Sequence, residues 1–138
     1  MCVVAIIALL AAILLPRIPR GTSRPRLQAY AIEAASLLKT DRSAAIRRHV
    51  QISTQIDAMS RAVRSGATGR VLRVPGDVVF DAVLPERCGQ RPALSTISFF
   101  ASGMSCGGVI ALTRLGVGYE IRINWLTAEV EVVPRNTL

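Results

Sequence analysis

One histidine, one lysine and an aromatic content of only 4% set the first limits on what this 138-residue chain can do. His49 stands alone. Cys88 and Cys106 cannot fill a four-ligand zinc site by themselves, and His49 lies far from both in sequence. Scarce aromatics leave little surface on which successive bases of a single strand could stack. Acidic residues are also few: nine against seventeen basic ones, a net charge of +8. Such a balance invites a nucleic-acid or acidic-surface partner. Yet sixteen of the seventeen cations are arginines spread along the chain, and an arginine-biased genome accounts for that dispersal more simply. With so short a chain there is room for one compact core.

What the chain has in excess is apolar sequence at its start. Cys2 to Leu15 reads CVVAIIALLAAILL without a charge, then Pro16 and Arg17, Arg20, Arg24 and Arg26 follow. As a helix these fourteen residues would rise about 21 Å, short of the roughly 30 Å of a bilayer core. Met1 runs straight into the apolar stretch, and Leu14-Leu15-Pro16-Arg17 is a poor cleavage site, so a signal peptide fits badly. The run reads as most of a membrane anchor, carried by Val3, Val4, Ile6, Ile7, Leu9, Leu10, Ile13 and Leu14. The organisation expected is an anchor over 1–16, a kinked connector and amphipathic helix over 17–49, and a β-domain over 50–138.

Pro16, Pro19, Gly21 and Pro25 are expected to break or bend the helix that begins in the anchor. From Arg26 to about His49 a helical stripe resumes: Leu27, Tyr30, Ala31, Ala34, Leu37, Leu38, Ala45 and Ile46 recur at spacings of three and four. Glu33, Lys39, Asp41, Arg42, Arg47 and Arg48 read as mainly outside it, and His49 as a solvated residue at the helix C-terminus. Beyond, short β-type runs alternate with turn signals. They cover residues 50–56, 59–63, 69–74, 78–84, 95–100, 109–114, 119–125 and 128–133, separated by pairs such as Ser65-Gly66, Pro75-Gly76 and Gly107-Gly108. Glu120 to Trp125 alternates polar and apolar. One helix followed by antiparallel strands makes an α+β fold, the sheet covering the helix's apolar face. Cys2 reads as a small apolar residue. Cys88 and Cys106 form a disulfide if the domain lies outside the cytoplasm, worth roughly 3 kcal/mol for a loop of that size; two free buried thiols are the alternative.

This order of parts resembles the type IV pilin-like proteins. Within the run from Phe100 to Leu112, Phe100, Gly103, Ser105, Gly107 and Gly108 resemble the glycine-rich segment of the GspH/FimT minor pseudopilins. Ile121 to Thr127 followed by Val130 is similar to their last hairpin, with Leu126 and Thr127 in its turn, although the family's Thr-Gly is here Thr127-Ala128. The family also starts with a basic leader and Gly-Phe-Thr-Leu-x-Glu, cut after the glycine by a prepilin peptidase that methylates the new terminus. None of those residues precedes the apolar run in this sequence, and on this resemblance Met1 would fall near the seventh mature position. The arginines after the anchor also conflict with the positive-inside rule unless leader charges precede them. We therefore expect the reading frame upstream of Met1 to encode a basic residue, Gly-Phe-(Thr/Ser)-Leu and a glutamate; an in-frame stop directly upstream would instead favour a degenerate copy or an unrelated anchor.

Catalytic readings find little. Gly103-Met104-Ser105-Cys106-Gly107 matches the G-x-S-x-G elbow, but no histidine follows Ser105 and a strand is expected where the elbow needs a helix. Cys106 as a nucleophile meets the same lack. Gly107-Gly108 has no Lys-Ser/Thr partner for a phosphate loop. Glu120, Glu129 and Glu131 read as a solvated hairpin face. The resemblance implies a minor pseudopilin of a type II secretion system, neither an enzyme nor a cofactor binder. It would be anchored once in the bacterial inner membrane, display its β-domain in the periplasm, pack on other pseudopilins through its N-terminal helix and meet a secreted substrate. The alternative is a type IV minor pilin that aids DNA uptake, its basic surface holding phosphates.

Overall fold

The computed structural model describes residues 23–88, 91–92 and 95–136. The anchor residues from Val3 to Leu14 lie outside the described residues, and no described helix is long and apolar enough to cross a membrane.

Ser23 starts the one described helix, α1 (Arg24–Arg48), its hydroxyl accepting the Arg26 N–H at 3.4 Å. Pro25 does not break this helix but opens it: in the first turn its missing N–H forfeits no intrahelical bond. At the other end His49 takes a left-handed backbone (φ 55°) and donates its N–H to the Ala45 carbonyl, while Arg47 and Arg48 sit at the negative end of the helix dipole. The helix is about 37 Å long. Its buried face comprises Leu27, Ala31, Ala34, Ala35, Leu37, Leu38, Asp41, Ala44 and Ala45. The alanines let the backbone come close to the strands beneath.

Ten strands follow among the described residues: β1 (Ile52–Asp57), β2 (Ala62–Arg64), β3 (Val71–Arg73), β4 (Val79–Val83), β5 (Arg87–Cys88), β6 (Arg91–Pro92), β7 (Thr96–Phe99), β8 (Gly108–Arg114), β9 (Val117–Ile123) and β10 (Val130–Asn136). They pair antiparallel into one sheet of order β3-β2-β1-β7, a second of order β10-β9-β8-β4, and the small hairpin β5–β6. Helix α1 lies against both larger sheets, touching β1, β3 and β7 of the first and β8, β9 and β10 of the second. The core between them holds Leu38, Val63, Val78, Ile97, Phe99, Ile110, Leu112 and Ile121, all fully buried. Alternation along β9 places Tyr119, Ile121 and Ile123 inward and Arg122 outward. The expected strand to Trp125 stops at Ile123, because Asn124 begins a turn. At the β1–β2 turn Asp57 accepts the Met59 and Ser60 N–H groups at 3.1 and 3.2 Å. Bonding by the Ser60 side chain, then by these N–H groups, holds its carboxyl below the usual range.

Candidate functional site

The conspicuous local structure is gathered where α1 ends. Three loops meet there: the β7–β8 connection, the β9–β10 turn and the segment after His49. In the first, the Phe100 carbonyl accepts the Gly103 N–H at 3.0 Å and the Phe100 N–H reaches the Met104 carbonyl at 2.9 Å. The buried ring at the start of this segment is Phe99, not the Phe100 singled out from sequence, which is only half-buried. Ser105 is buried; its Oγ donates to the Ser98 carbonyl at 2.7 Å and accepts the Gly107 N–H at 3.1 Å. Its own N–H donates to the Trp125 carbonyl at 3.0 Å, which ties this loop to the β9–β10 turn. The hydroxyl is thus a loop brace, and the residue bridges to Phe99 rather than leading into a helix. Gly107 has φ +78°, and a Cβ there would lie 3.3 Å from both the Ile123 carbonyl oxygen and Trp125 Cβ, so both conformation and space call for glycine. Gly103 (φ +84°) faces Ile46 of the helix, and Gly108 opens β8.

Cys88 and Cys106 are joined by a disulfide, with Cα atoms 5.6 Å apart, inside the usual range. The bond fastens the β5–β6 hairpin to the β7–β8 loop, two residues that lie 18 apart in sequence. Leu126 and Thr127 form the top of the β9–β10 turn. Their N–H groups donate to Asn124 Oδ1 at 2.8 and 3.3 Å, and Ala128 donates to the Asn124 carbonyl at 2.8 Å. Ala128 is buried and left-handed (φ 56°), so an alanine here holds a conformation that glycine adopts more readily.

Sequence reasoning missed the polar centre of the fold. Asp41, expected outside the apolar stripe, is fully buried. Its two carboxylate oxygens accept the hydroxyls of Thr54 (β1) and Ser65, and the N–H groups of Gly66 and Ala67 at 2.9 and 3.1 Å. One helix side chain thereby clasps β1 and the β2–β3 loop. The spacing did carry a signal: Asp41 stands four after Leu37, three after Leu38 and four before Ala45, on the core side. Residue type hid what position implied. Gly66 is also fixed by crowding, since a Cβ would fall 2.2 Å from the Ser53 carbonyl oxygen.

Basic residues are spread over both large sheets and the helix. On the outer face of the first sheet Arg64 and Arg73 are exposed, whereas Arg114 and Arg122 of the second pair with Asp77 and Glu120. Along α1, Lys39 and Arg47 line a groove of about 470 Å³ closed by Val132 of β10, with Ile32, Ser36, Thr40 and Ser43 on its floor. Lys39, Arg42 and Ser43 share an adjoining cleft of about 490 Å³ with Thr127, Glu129 and Val130. Neither holds a cluster of metal-ligating side chains, and none occurs among the described residues.

No protein-family model and no curated protein matches the chain in sequence. Solved structures do match it in fold. The minor pseudopilin EpsH from the type 2 secretion system of Vibrio cholerae aligns with a TM-score of 0.60 at 12% identity, covering 78% of this chain and 95% of that one. The type IV minor pilin FimU of Pseudomonas aeruginosa aligns in two crystal forms. One has a TM-score of 0.60 at 20% identity, covering 82% of this chain and 92% of that one. The other has a TM-score of 0.57 at 19% identity, with 78% and 92% covered. At such identities the likeness is one of fold: a helix laid on antiparallel sheets in the manner of minor pilins and pseudopilins.

Proposed function

We propose that this chain is a minor pseudopilin of a type II protein secretion system. In this reading residues 1–16 hold it in the bacterial inner membrane, the β-domain stands in the periplasm, and the N-terminal helix packs against other pseudopilins as a short pilus is built. The observation that carries the reading is the shared fold, a long helix locked to a β-domain, aligned over nearly the whole length of the neighbours. The Asp41 clasp suits such a part. A subunit moved by its helix must carry its β-domain with it, and a buried carboxylate bonded to two segments of the first sheet resists sliding of one against the other. Apolar helix packing supplies the assembly energy, so no cofactor or catalytic group is invoked. Deleting the gene should abolish export of the system's substrate, and the full chain should be recovered cross-linked to other pseudopilins; intact export without it would refute the role.

The second reading, a minor pilin that aids DNA uptake, is favoured by one observation: Arg64 and Arg73 share an exposed sheet face and neither makes an ion pair with a described residue. Against it, Arg114 and Arg122 are neutralised and the helix cations lie on another face. We expect duplex DNA to bind the detergent-solubilised full chain only in the non-specific range of about 10⁻⁴–10⁻⁶ M at physiological salt, with a salt slope near −0.9 per phosphate neutralised. Submicromolar binding lost on Arg64→Ala with Arg73→Ala would reverse the ranking.

A further inference from the structure

The assembly reading leaves the tip of the β9–β10 turn without a task. Asn124, Trp125, Leu126 and Thr127 are all exposed, Trp125 by 62% and Leu126 by 54%. The turn is preorganised by its Asn124 bonds and by buried Ala128 at its base, so two large apolar side chains are held outward rather than folded down. Met104 is exposed on the β7–β8 loop, which the Ser105–Trp125 bond holds alongside, and Val50 is exposed just past the helix end. This apolar end is ringed by cations. Lys39 and Arg42 share the cleft behind Thr127, Arg47 lines the next groove, and Arg48 follows it. None of the four makes an ion pair with a described residue, and Arg42 Nε is buried without a hydrogen-bond partner among the described residues. Nearby carboxylates are Glu129 and Glu131; Glu120 is occupied by Arg122.

A protruding tryptophan and leucine with unpaired cations behind them match the layering of an anionic bilayer surface. Indole sits at headgroup level, the aliphatic chains go just beneath, and the cations meet lipid phosphates. A protein partner would more commonly take such residues at the centre of a flat, water-excluding patch than on a raised turn. We infer that this tip is a lipid contact, in which Trp125, Leu126 and Met104 enter the interface of a bilayer rich in anionic phospholipid while Lys39, Arg42, Arg47 and Arg48 are drawn to its headgroups. The contact lies at the end of α1 remote from Ser23.

Trp125 is the chain's single tryptophan, which makes the test direct. The full chain is reconstituted into phosphatidylcholine vesicles and mixed with a second population containing phosphatidylglycerol and brominated acyl chains, which quench indole on contact. Flotation with the first vesicles reports the N-terminal segment separately. Quenching with a blue shift is expected, reversed by salt at about 1 M, where the Debye length is about 3 Å. Leu126→Ser should weaken it by about tenfold, and Arg47→Glu with Arg48→Glu by at least about tenfold. These positions are exposed, so the variants keep the core. Equal quenching by brominated phosphatidylcholine, undiminished quenching of Leu126→Ser, or a blue shift that rises with protein concentration in the absence of the second vesicles would each overturn the inference, the last in favour of self-association.

Discussion

Asp41→Ala should lower the free energy of unfolding by about 3–5 kcal/mol, because it removes the acceptor from four buried or half-buried donors at once. The hydroxyls of Thr54 and Ser65 can turn elsewhere, but the N–H groups of Gly66 and Ala67 cannot. Asp41→Asn tests the chemistry more finely. Whichever way the amide is placed, its NH₂ faces one hydroxyl and one backbone N–H, since each carboxylate oxygen serves one of each. A loss of about 2–3 kcal/mol is expected. Glu33→Gln is the control: it breaks the exposed Arg70–Glu33 pair at 3.1 Å and should change stability by less than about 1 kcal/mol. Urea unfolding of the full chain in detergent measures all three. If Asp41→Ala stays within about 1 kcal/mol of the parent, the clasp does not hold the helix to the first sheet.

Loss of the Cys88–Cys106 bond is the second large effect. In the chain-entropy view the bond restricts the unfolded state, and removing it should cost about 2–5 kcal/mol. Cys88→Ser and Cys106→Ser should agree with each other and with the reduced parent, because each undoes the same closure. The damage should concentrate at the β7–β8 loop, whose attachment to the β5–β6 hairpin depends on the bond. Alkylation of the native protein measures this directly: both thiols should resist labelling until a reductant is added. Rapid labelling of the untreated native protein would contradict the bond.

Much of the fold was legible because hydrophobic period decides it. The spacing of Leu27, Ala31, Ala34, Leu37 and Leu38 gave a helix whose end at His49 matches the structure, and the turn pairs separated strands that recur as β1 to β4 and β7 to β10. The misses have distinct physical causes. Pro25 reads as a breaker, but a proline in the first helical turn loses no bond, so its meaning depended on Ser23 being the cap. The β5–β6 hairpin has strands of two residues, too short for any periodicity to register. Trp125 continues the alternation of β9, yet Asn124 captures the next N–H groups and ends the strand. Asp41 was the costliest miss. Its position belonged to the core, but a carboxylate is buried only when donors from elsewhere in the chain satisfy it, and those donors come from residues 13 to 26 positions away. The candidate site was legible in its parts, as glycines and a hairpin motif, and not in its convergence at the end of α1.

Filament fractionation tests the central claim most directly. Where the chain is expressed together with the other subunits of the proposed system, the fibres that form can be sheared from the cells and sedimented. If this chain assembles through its N-terminal helix, it should co-sediment with sheared fibres, in small amount, and Leu10→Arg should remove it from them while its β-domain remains folded. A chain found only in the inner-membrane fraction, whatever the yield of fibres, would contradict the proposed role of a pilus subunit.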